Sequence, residues 1–320
     1  MKILLLSRID PNAIASLEER AEVEYAFDAR LEDLEGPLAR AQVLVFRSGV
    51  DVSRSLLERA PNLRLIVRAG SGLDNISVDD VRSTEIRLVR IPGPSAQAVA
   101  ELTFALMLGI ARKVPLADRL LRAGHWPKPQ LGGSLLRGKS LGIIGAGNIV
   151  ARVGELGAAW GMQPLGCVKN PSHECEAKLR SRSIRLASLD EVIATADFLT
   201  LHVPLAEDTF HLIDSVKLAK MKPGSYLINT SRGGVVDEEA LYKELTKGTR
   251  ILGAGLDVHE EEGEGTISPL SDLPNVVLTP HIGAMALDSQ HEIGTRLLEL
   301  VTAFQQGLID SVASRAELVV

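Results

Sequence analysis

Short apolar runs alternate with helical repeats along the first third of the chain. Runs of about 4–8 apolar residues are typical of buried strands, and the segments between them repeat apolar positions at helical spacing. This alternation predicts a parallel sheet with helices packed on its faces. The predicted strands lie at 2–6, 23–27, 43–46, 65–67 and 87–91, and the predicted helices at 12–20, 31–41, 53–60 and 78–83.

The alternation restarts after a long apolar segment. Pro92-Gly93-Pro94 interrupts the first pattern, and residues 96–113 then predict a helix that is apolar on nearly every side. Such a helix is usually buried in a large core or between subunits. After a loop that includes residues 124–133, we expect strands at 141–144, 163–168, 198–201, 225–229, 251–256 and 276–278, and helices at 151–161, 189–195, 214–218, 238–247 and 289–306, followed by a loose tail.

Composition narrows the class of protein. The 320 residues are 45% hydrophobic and 24% charged, with a net charge of −6, so we expect a soluble globular protein without a nucleic-acid partner. The apolar run Ile3–Leu6 is too short for a signal peptide, and no run is long enough to span a membrane. Cys167 and Cys175 do not suggest a disulfide framework, and no Cys/His cluster has metal spacing. We expect a cytoplasmic protein without a metal.

Two closely spaced glycines, Gly145 and Gly147, lie between a predicted strand and a predicted helix. Gly145 would allow the tight turn, and Gly147 would let a pyrophosphate approach the backbone N–H groups at the helix N-terminus. Val150 stands where the usual third glycine would be. The turn therefore indicates either a dinucleotide site or an ordinary strand-to-helix connection.

Charged side chains follow three consecutive predicted strands. They are Arg232, the acidic run Glu260–Glu262 and His281. In a parallel sheet these strand ends face the same crevice as the glycine turn. A guanidinium can bind a carboxylate, an imidazole can exchange a proton near neutral pH, and a carboxylate beside the imidazole raises its pKa. Taken singly, each residue is as well explained as a surface or capping side chain, so the interpretation depends on their coincidence at one sheet edge.

Motifs in a fixed order cover nearly the whole chain. They read RSGV at 47–50, RAGSGLDN at 68–75, QAVAEL at 97–102, LHVPL at 201–205 with Thr209, NTSRGGVVD at 229–237, LDV at 256–258 and TPHIG at 279–283. On these motifs the chain resembles the D-isomer-specific 2-hydroxyacid dehydrogenases, in particular the branch that includes D-3-phosphoglycerate dehydrogenase. The turn at 92–95 lacks the asparagine of that branch, which weakens the assignment of phosphoglycerate as substrate.

The resemblance implies roles for the site residues. Arg232 would bind the carboxylate and carbonyl oxygen of the substrate, and His281 would be the general acid in reduction and the base in oxidation. Its partner would be Glu262, rather than Glu260 or Glu261, although Gly263 replaces the usual proline. Substrate would also contact Arg47, Ser71 and Gly72. The implied cofactor-binding residues are Gly145, Gly147, Asn148, Ile149, Lys169, Asn170, His202, Val203, Pro204, Thr209, Thr230, Ser231, Asp257, Gly283 and Ala284.

The choice between NAD and NADP stays open. Val168 stands where NAD-using relatives carry an acidic residue for the adenosine ribose, and Lys169 and Asn170 follow it. An acid there repels a 2′-phosphate, whereas a nearby cation attracts one. Lys169 is therefore either a contact for NADP or a solvated side chain of an enzyme that uses NAD.

Together these features predict an α/β protein of two doubly wound parallel-sheet domains. The NAD(P)-binding Rossmann domain, residues 99–284, would be inserted into a substrate domain of residues 1–98 and 285–320, with the active site between them. The expected function is hydride transfer between NAD(P) and a D-2-hydroxy acid or 2-keto acid, with 3-phosphoglycerate as one candidate. Alternatives are oxidation of another donor, such as formate or phosphite, or an NAD(H)-sensing, corepressor-like binding protein of the same fold. We also expect a homodimer built on the 96–113 helix.

Overall fold

A computed structural model describes residues 1–27, 29–47, 49–314 and 317–320. The chain divides into two compact units, Met1–Ser95 with Ala284–Val320, and Ala96–Gly283. The expected boundaries were at 98 and 284, within three residues of these. Ser48, part of the RSGV motif, lies outside the described residues.

The first segment of the chain forms one five-stranded parallel sheet. Its order, β2-β1-β3-β4-β5, is that of a flavodoxin-like doubly wound sheet. The strands at 2–5, 43–46 and 65–68 are mostly buried aliphatic residues, as in a sheet covered by helices on both faces, whereas the edge strand at 22–25 has no buried residue. The elements are β1 (Lys2–Leu5), α1 (Pro11–Glu18), β2 (Glu22–Tyr25), α2 (Glu35–Arg40) after a 3₁₀ turn at Leu31–Leu34, β3 (Val43–Phe46), α3 (Arg54–Glu58), β4 (Leu65–Arg68), α4 (Val78–Arg82) and β5 (Arg87–Arg90).

The second unit contains a seven-stranded parallel sheet. Its elements are α5 (Gly93–Ala111), α6 (Val114–Arg122), a 3₁₀ turn at Lys128–Gln130, β6 (Ser140–Ile144), α7 (Asn148–Ala159), β7 (Gln163–Cys167), α8 (His173–Ser181), β8 (Arg185–Leu186), α9 (Leu189–Thr195), β9 (Phe198–Leu201), α10 (Ser215–Lys220), β10 (Ser225–Asn229), a 3₁₀ turn at Gly233–Val235, α11 (Glu238–Lys247), β11 (Ile251–Leu256) and β12 (Val276–Leu278). The strand order is β12-β11-β10-β9-β6-β7-β8. The order reverses at β6, as in a Rossmann sheet, so the glycine turn after β6 lies at the topological switch point.

The last segment returns to the first unit. It consists of α12 (Leu287–Gln305), α13 (Ile309–Val312) and a short tail. From the sequence we expected a loose tail, but the tail is ordered. Leu318 bridges Val89 in antiparallel fashion, and the N–H of Arg90 donates to the carbonyl of Glu317 at 2.9 Å. The tail therefore covers the exposed edge of β5.

The fold class agrees with the sequence prediction, but several elements differ. The long helix begins at Gly93 rather than 96, because Pro94 lies in its first turn, where its missing N–H costs nothing. The helix predicted at 31–41 is instead a 3₁₀ turn at Leu31–Leu34 followed by α2, which contains Gly36 and Pro37. Helices α6 and α8 and the short strand β8 were not predicted; α8 (HECEAKLRS) is largely polar and gives no apolar repeat to read.

One helix of the described chain is long and apolar enough to cross a membrane by length and composition alone. This is α5, and 67% of its most apolar stretch is buried inside the structure, as in the core helix of a globular domain. Its buried residues, including Phe104, Leu106 and Met107, pack in one cluster with Ile143 and Ile228 of the second sheet. The apolar character of α5 is therefore explained within a single chain.

Candidate active site

His281 and Glu262 are in direct contact at the carboxyl edge of the second sheet. The His281 Nδ1 lies 2.8 Å from Oε2 of Glu262. Because a carboxylate only accepts, Nδ1 carries the hydrogen, and Nε2 is the nitrogen that can exchange a proton with a bound molecule. Burial opposes ionisation of Glu262, but the hydrogen bond and charge of His281 outweigh it and hold the pKa of Glu262 below its usual range. Glu260 instead contacts His211, at 3.1 Å.

The segment that carries His281 is wrapped around the carboxylate of Asp257. That carboxylate accepts from the Thr279 hydroxyl at 2.6 Å and from the backbone N–H groups of Ile282 and Gly283 at 2.9 and 2.8 Å. Asp257 is 1% exposed. His281 has a φ of 54°, a left-handed conformation that non-glycine residues rarely adopt. The three hydrogen bonds to Asp257 hold the backbone of this turn in its strained conformation. We infer that this conformation orients the His281 ring.

Arg232 follows β10 and is placed by Asn229. The Asn229 side chain accepts from both N–H and hydroxyl of Ser231, at 3.0 and 2.7 Å, and donates to the carbonyl of Arg232 at 2.8 Å. The half-buried Arg232 guanidinium donates to the Ser231 carbonyl at 2.7 Å. β10 and β12 each pair with β11, so Arg232 and His281 follow strands about 10 Å apart.

The next residue, Gly233, must be glycine for steric reasons. A Cβ there would lie 1.8 Å from the carbonyl oxygen of His259 and 2.6 Å from the N of Glu260. The Arg232 turn therefore packs directly on the loop that carries Glu262. This contact holds the guanidinium and the carboxylate in fixed register at the same edge of the sheet.

The glycine turn after β6 fits a dinucleotide. Gly145 has a φ of +133°, and a Cβ there would meet the His202 carbonyl oxygen at 2.3 Å, so the fold itself requires glycine. Gly147, the N-cap of α7, has an ordinary φ of −91°, and a Cβ there would meet nothing within 4 Å. The fold of the chain would therefore accept a side chain at position 147. A pyrophosphate bound close to the helix N-terminus would not leave room for one. Asn148 and Ile149 form the first turn of α7.

Val150, in place of the third glycine, is fully buried in the core. The close packing of helix on sheet is made one and two turns later, at Gly154 and Gly157. A Cβ at Gly157 would lie 2.6 Å from Leu141, and one at Gly154 would lie 2.4 Å from Ile184. The packing role of the missing glycine has therefore moved along the helix.

Lys169 and Asn170 lie just beyond the end of β7, as expected. Lys169 forms an ion pair with Asp208 from the loop after β9. The hydrogen bond from Lys169 lowers the pKa of Asp208. The cation that would attract a 2′-phosphate therefore has a counter-ion within the same chain, which the sequence did not reveal.

The remaining cofactor-side residues fall into a buried and an exposed group. Thr230 contacts Thr103 of α5 at 3.0 Å and the Nδ1 of His202 at 3.5 Å. Burial lowers the pKa of His202 to about 3, so the ring is neutral and serves as a hydrogen-bonding group. Thr209 closes the following loop, because its hydroxyl donates to the carbonyl of Pro204 at 2.7 Å and accepts from the N–H of Ala206 at 2.8 Å; Val203 lies within that loop.

The predicted substrate-side residues belong to the first unit. Arg68 donates to the carbonyl of Gly72 and Arg90 to that of Ser71, both at 3.1 Å. These hydrogen bonds stabilise the loop after β4, which gives Arg68 and Arg90 a structural role. Arg47, after β3, is half-buried, and burial lowers the pKa of its guanidinium. It lines a cavity of about 270 Å³ together with Ser7 and Arg8.

A larger cavity of about 630 Å³ opens beside the catalytic candidates. His281, Glu262 and His259 line it with Thr279 and the residues of the acidic loop. No cluster of three metal-ligating side chains occurs in the part of the chain that the structure describes. His259, Asn229 and the structural use of Asp257 were missed from the sequence. His259 had a usable signal, since it follows the same strand end as Glu262.

Comparison with known proteins decides the family. A family model described as the NAD-binding domain of D-isomer specific 2-hydroxyacid dehydrogenases matches residues 104–283. The chain belongs to the D-isomer specific 2-hydroxyacid dehydrogenase family. It is 40% identical over 308 residues to a D-3-phosphoglycerate dehydrogenase of Methanocaldococcus jannaschii, covering 96% of this chain and 58% of that protein. This member of the family therefore spans little more than half the length of that relative.

Two further proteins match along nearly their full length. A hydroxypyruvate reductase of Thermotoga maritima is 38% identical, over 92% of this chain and 94% of its own. The crystal structure of a D-lactate dehydrogenase of Aquifex aeolicus, complexed with NAD and lactic acid, superposes with a TM-score of 0.86. It is 28% identical, and the match covers 100% of this chain and 99% of that one.

Proposed function

We propose that this chain is an oxidoreductase that transfers a hydride between NAD(P) and a D-2-hydroxy acid or its 2-keto acid. The observation that carries the proposal is the contact between His281 and Glu262, on the sheet edge that also bears Arg232 and the glycine turn. Family membership makes the same activity the first to test. The matching hydroxypyruvate and phosphoglycerate enzymes suggest a 2-keto acid with a short polar group on C3.

The bound nicotinamide supplies the hydride in reduction and accepts it in oxidation. Gly145, Gly147 and the first turn of α7 would hold its pyrophosphate. In reduction, Arg232 binds the keto acid and polarises the carbonyl, so that negative charge develops on the carbonyl oxygen beside a cation. Nε2 of His281 would give its proton to that oxygen. Glu262 stabilises the imidazolium before the transfer and keeps its Nδ1–H in place afterwards; oxidation reverses each step.

On the substrate side we propose that Arg47, Ser71 and Gly72 bind the acid. 3-Phosphoglycerate remains one candidate substrate, because Arg47 and the neighbouring Arg8 would suit a phosphate. We further propose a cytoplasmic homodimer. Cys167 and Cys175 are free thiols, as expected in a reducing compartment.

Two substitutions test the catalytic assignment. His281→Ala and Arg232→Ala should each lower turnover by about 10²–10⁴-fold, because each removes a group that acts on the carbonyl oxygen in the transition state. Dissociation constants for NADH and NADPH should stay near those of the wild type. Turnover is measured with a panel of 2-keto acids that includes hydroxypyruvate and its phosphate ester, with both cofactors. Near-normal activity of either variant, or no turnover by the wild type with any acid, would refute the proposal.

A further inference from the structure

His259 contacts Glu262 and the segment that carries His281. Its backbone N–H donates to Oε1 of Glu262 at 3.2 Å. Its ring Nε2 lies 3.0 Å from the carbonyl oxygen of Thr279, two residues before His281. One residue therefore ties the loop that carries Glu262 to the strand end that carries His281.

The other ring nitrogen of His259 is in an unusual position. Nδ1 is buried and has no hydrogen-bond partner among the described residues. A carbonyl only accepts, so Nε2 carries a hydrogen; in a neutral ring Nδ1 would then present a lone pair. It faces Oε1 of Glu238, 3.8 Å away, and the two side chains are only 13% and 5% exposed. A buried lone pair facing a carboxylate is unfavourable, whereas a proton on Nδ1 makes the contact attractive.

The groups around His259 are mostly acidic. Glu238 opens α11, and its carboxylate accepts from the N–H of Glu260 at 3.0 Å, while Glu260 in turn accepts from the N–H of Glu238 at 2.9 Å. Burial raises the pKa of Glu238, and the positive charge of a protonated His259 opposes that shift, so a proton on His259 favours the ionised carboxylate. Glu238 from α11 faces the ring of His259, and Glu262 from its own loop accepts from its N–H. Glu260 is bound to His211 and to the N–H of Glu238, while Glu261, Glu264 and His281 line the same cavity as His259.

We propose that His259 is a positioning residue for proton transfer by the Glu262–His281 pair and that its ring works in the protonated form, facing Glu238. Through the Thr279 carbonyl it fixes the turn of His281, and through its N–H it fixes Glu262. Its positive charge keeps Glu262 ionised and makes His281 a better proton donor. This inference rests on the proposed function, in which His281 is the general acid.

Two substitutions separate the geometric effect from the charge. His259→Phe keeps a ring of similar size but removes both nitrogens. His259→Gln restores an N–H donor for the Thr279 carbonyl without a charge. His211→Gln is the matched control, since that imidazole contacts Glu260 but belongs to neither link described above. Circular dichroism and NADH affinity establish that each variant is folded.

We expect His259→Phe and His259→Gln to differ in kcat. His259→Phe should lower kcat about 10–100-fold with little change in KM, since misplacement of the proton donor affects the chemical step. His259→Gln should recover most of kcat. The alkaline limb of kcat for keto-acid reduction should move to higher pH in His259→Gln, because this variant lacks a positive charge beside the groups that hold the transferred proton. The control should match the wild type in both respects.

Contrary outcomes are distinct from failure of the proposed function. If His281→Ala is inactive but His259→Phe turns over like the wild type, His259 does not position the pair. If His281→Ala remains active, the catalytic assignment itself is wrong. The charge is tested without turnover, by ¹H–¹⁵N correlation of the histidine rings with His259 assigned from its loss in His259→Gln. If both ring nitrogens of His259 carry a proton near pH 7, the proposal is supported. If the ring is neutral with no proton on Nδ1, the proposal that His259 works in the protonated form is wrong.

Discussion

We expect the ion pair between Lys169 and Asp208 to influence the choice between NAD and NADP. Val168 leaves the end of β7 without the acid that binds an adenosine ribose, and Lys169 would attract a 2′-phosphate. Asp208 offsets that charge from a different loop. We therefore expect Asp208→Asn to raise the affinity for NADPH relative to NADH several-fold, with the largest effect at low salt. Dissociation constants from cofactor fluorescence measure the ratio.

A matched substitution shows whether the effect is local. Asp190 forms a comparable surface ion pair with Lys220, so Asp190→Asn should leave the NADPH to NADH ratio unchanged. If Asp208→Asn also leaves the ratio unchanged, Lys169 does not lie beside the ribose of the bound cofactor. A ratio that moves towards NADH would contradict the sign of the electrostatic argument.

Single residues were predictable where a chemical group follows a strand end. Arg232, Glu262 and His281 could be located because parallel strands bring their carboxyl ends to one edge, and Glu262 does contact His281. Asp208 and Glu238 were not predictable, since each reaches its partner from an element distant in sequence. Asp257 was assigned to the cofactor side, but its carboxylate is occupied by the Thr279–Gly283 turn, a local detail that spacing does not encode.

Among the elements, those with a clear apolar period were predicted well. Strands β3, β9, β10, β11 and β12 and helices α9 and α11 have the predicted bounds. The strands are mostly apolar runs within sheets that have a hydrophobic core on each face, and the two helices each bury one apolar face. The C-terminal tail was wrongly predicted as loose. Its order comes from polar contacts, namely a bidentate ion pair of Glu317 with Arg296 of α12 at 2.7 and 2.8 Å, and backbone pairing with β5.

The tail contact makes stability depend on pH. The hydrogen bond from Arg296 lowers the pKa of Glu317 to about 2, below the value of about 4.3 in an unfolded chain. The ionised carboxyl therefore stabilises the fold above the unfolded value and loses this effect as the pH falls towards 2. We expect Glu317→Gln to lower the free energy of unfolding of the first unit by about 1–2 kcal/mol at pH 7, as measured by urea unfolding.

The same measurement at lower pH separates the charge from the shape of the side chain. The difference between Glu317→Gln and the wild type should shrink as the pH falls from about 4.3 towards 2, because the carboxyl of the unfolded chain binds a proton first and that of the folded chain only near pH 2. Glu299→Gln removes the other, more exposed carboxylate partner of Arg296 and should cost less than about 0.5 kcal/mol. Equal losses in the two variants, or a loss for Glu317→Gln that does not change with pH, would show that the tail is not held by this ion pair.

At the scale of the whole molecule, the alternating pattern predicted two parallel sheets in two units, and the chain has them. The pattern was least informative for the helix at 96–113, whose apolar surface has two explanations. Burial within one chain accounts for most of α5. The exposed apolar surface lies instead in the segment that follows, at Val114, Leu121, Trp126 and Leu135. We therefore extend the proposed dimer interface from α5 to this segment.

The exposed side chains of α6 give the proposed dimer a direct test. Val114 and Leu121 are seven residues apart, on one face of a helix that has no buried residue, and are 56% and 57% exposed. A second copy that covers this face would remove the apolar area from water. Sedimentation equilibrium should then give 68.8 kDa, twice the 34.4 kDa of one chain, and Leu121→Glu should give the monomer mass. Val216→Glu places the same charge on another exposed apolar residue, of α10, and should leave the dimer intact; a dimeric Leu121→Glu variant would exclude α6 from the interface.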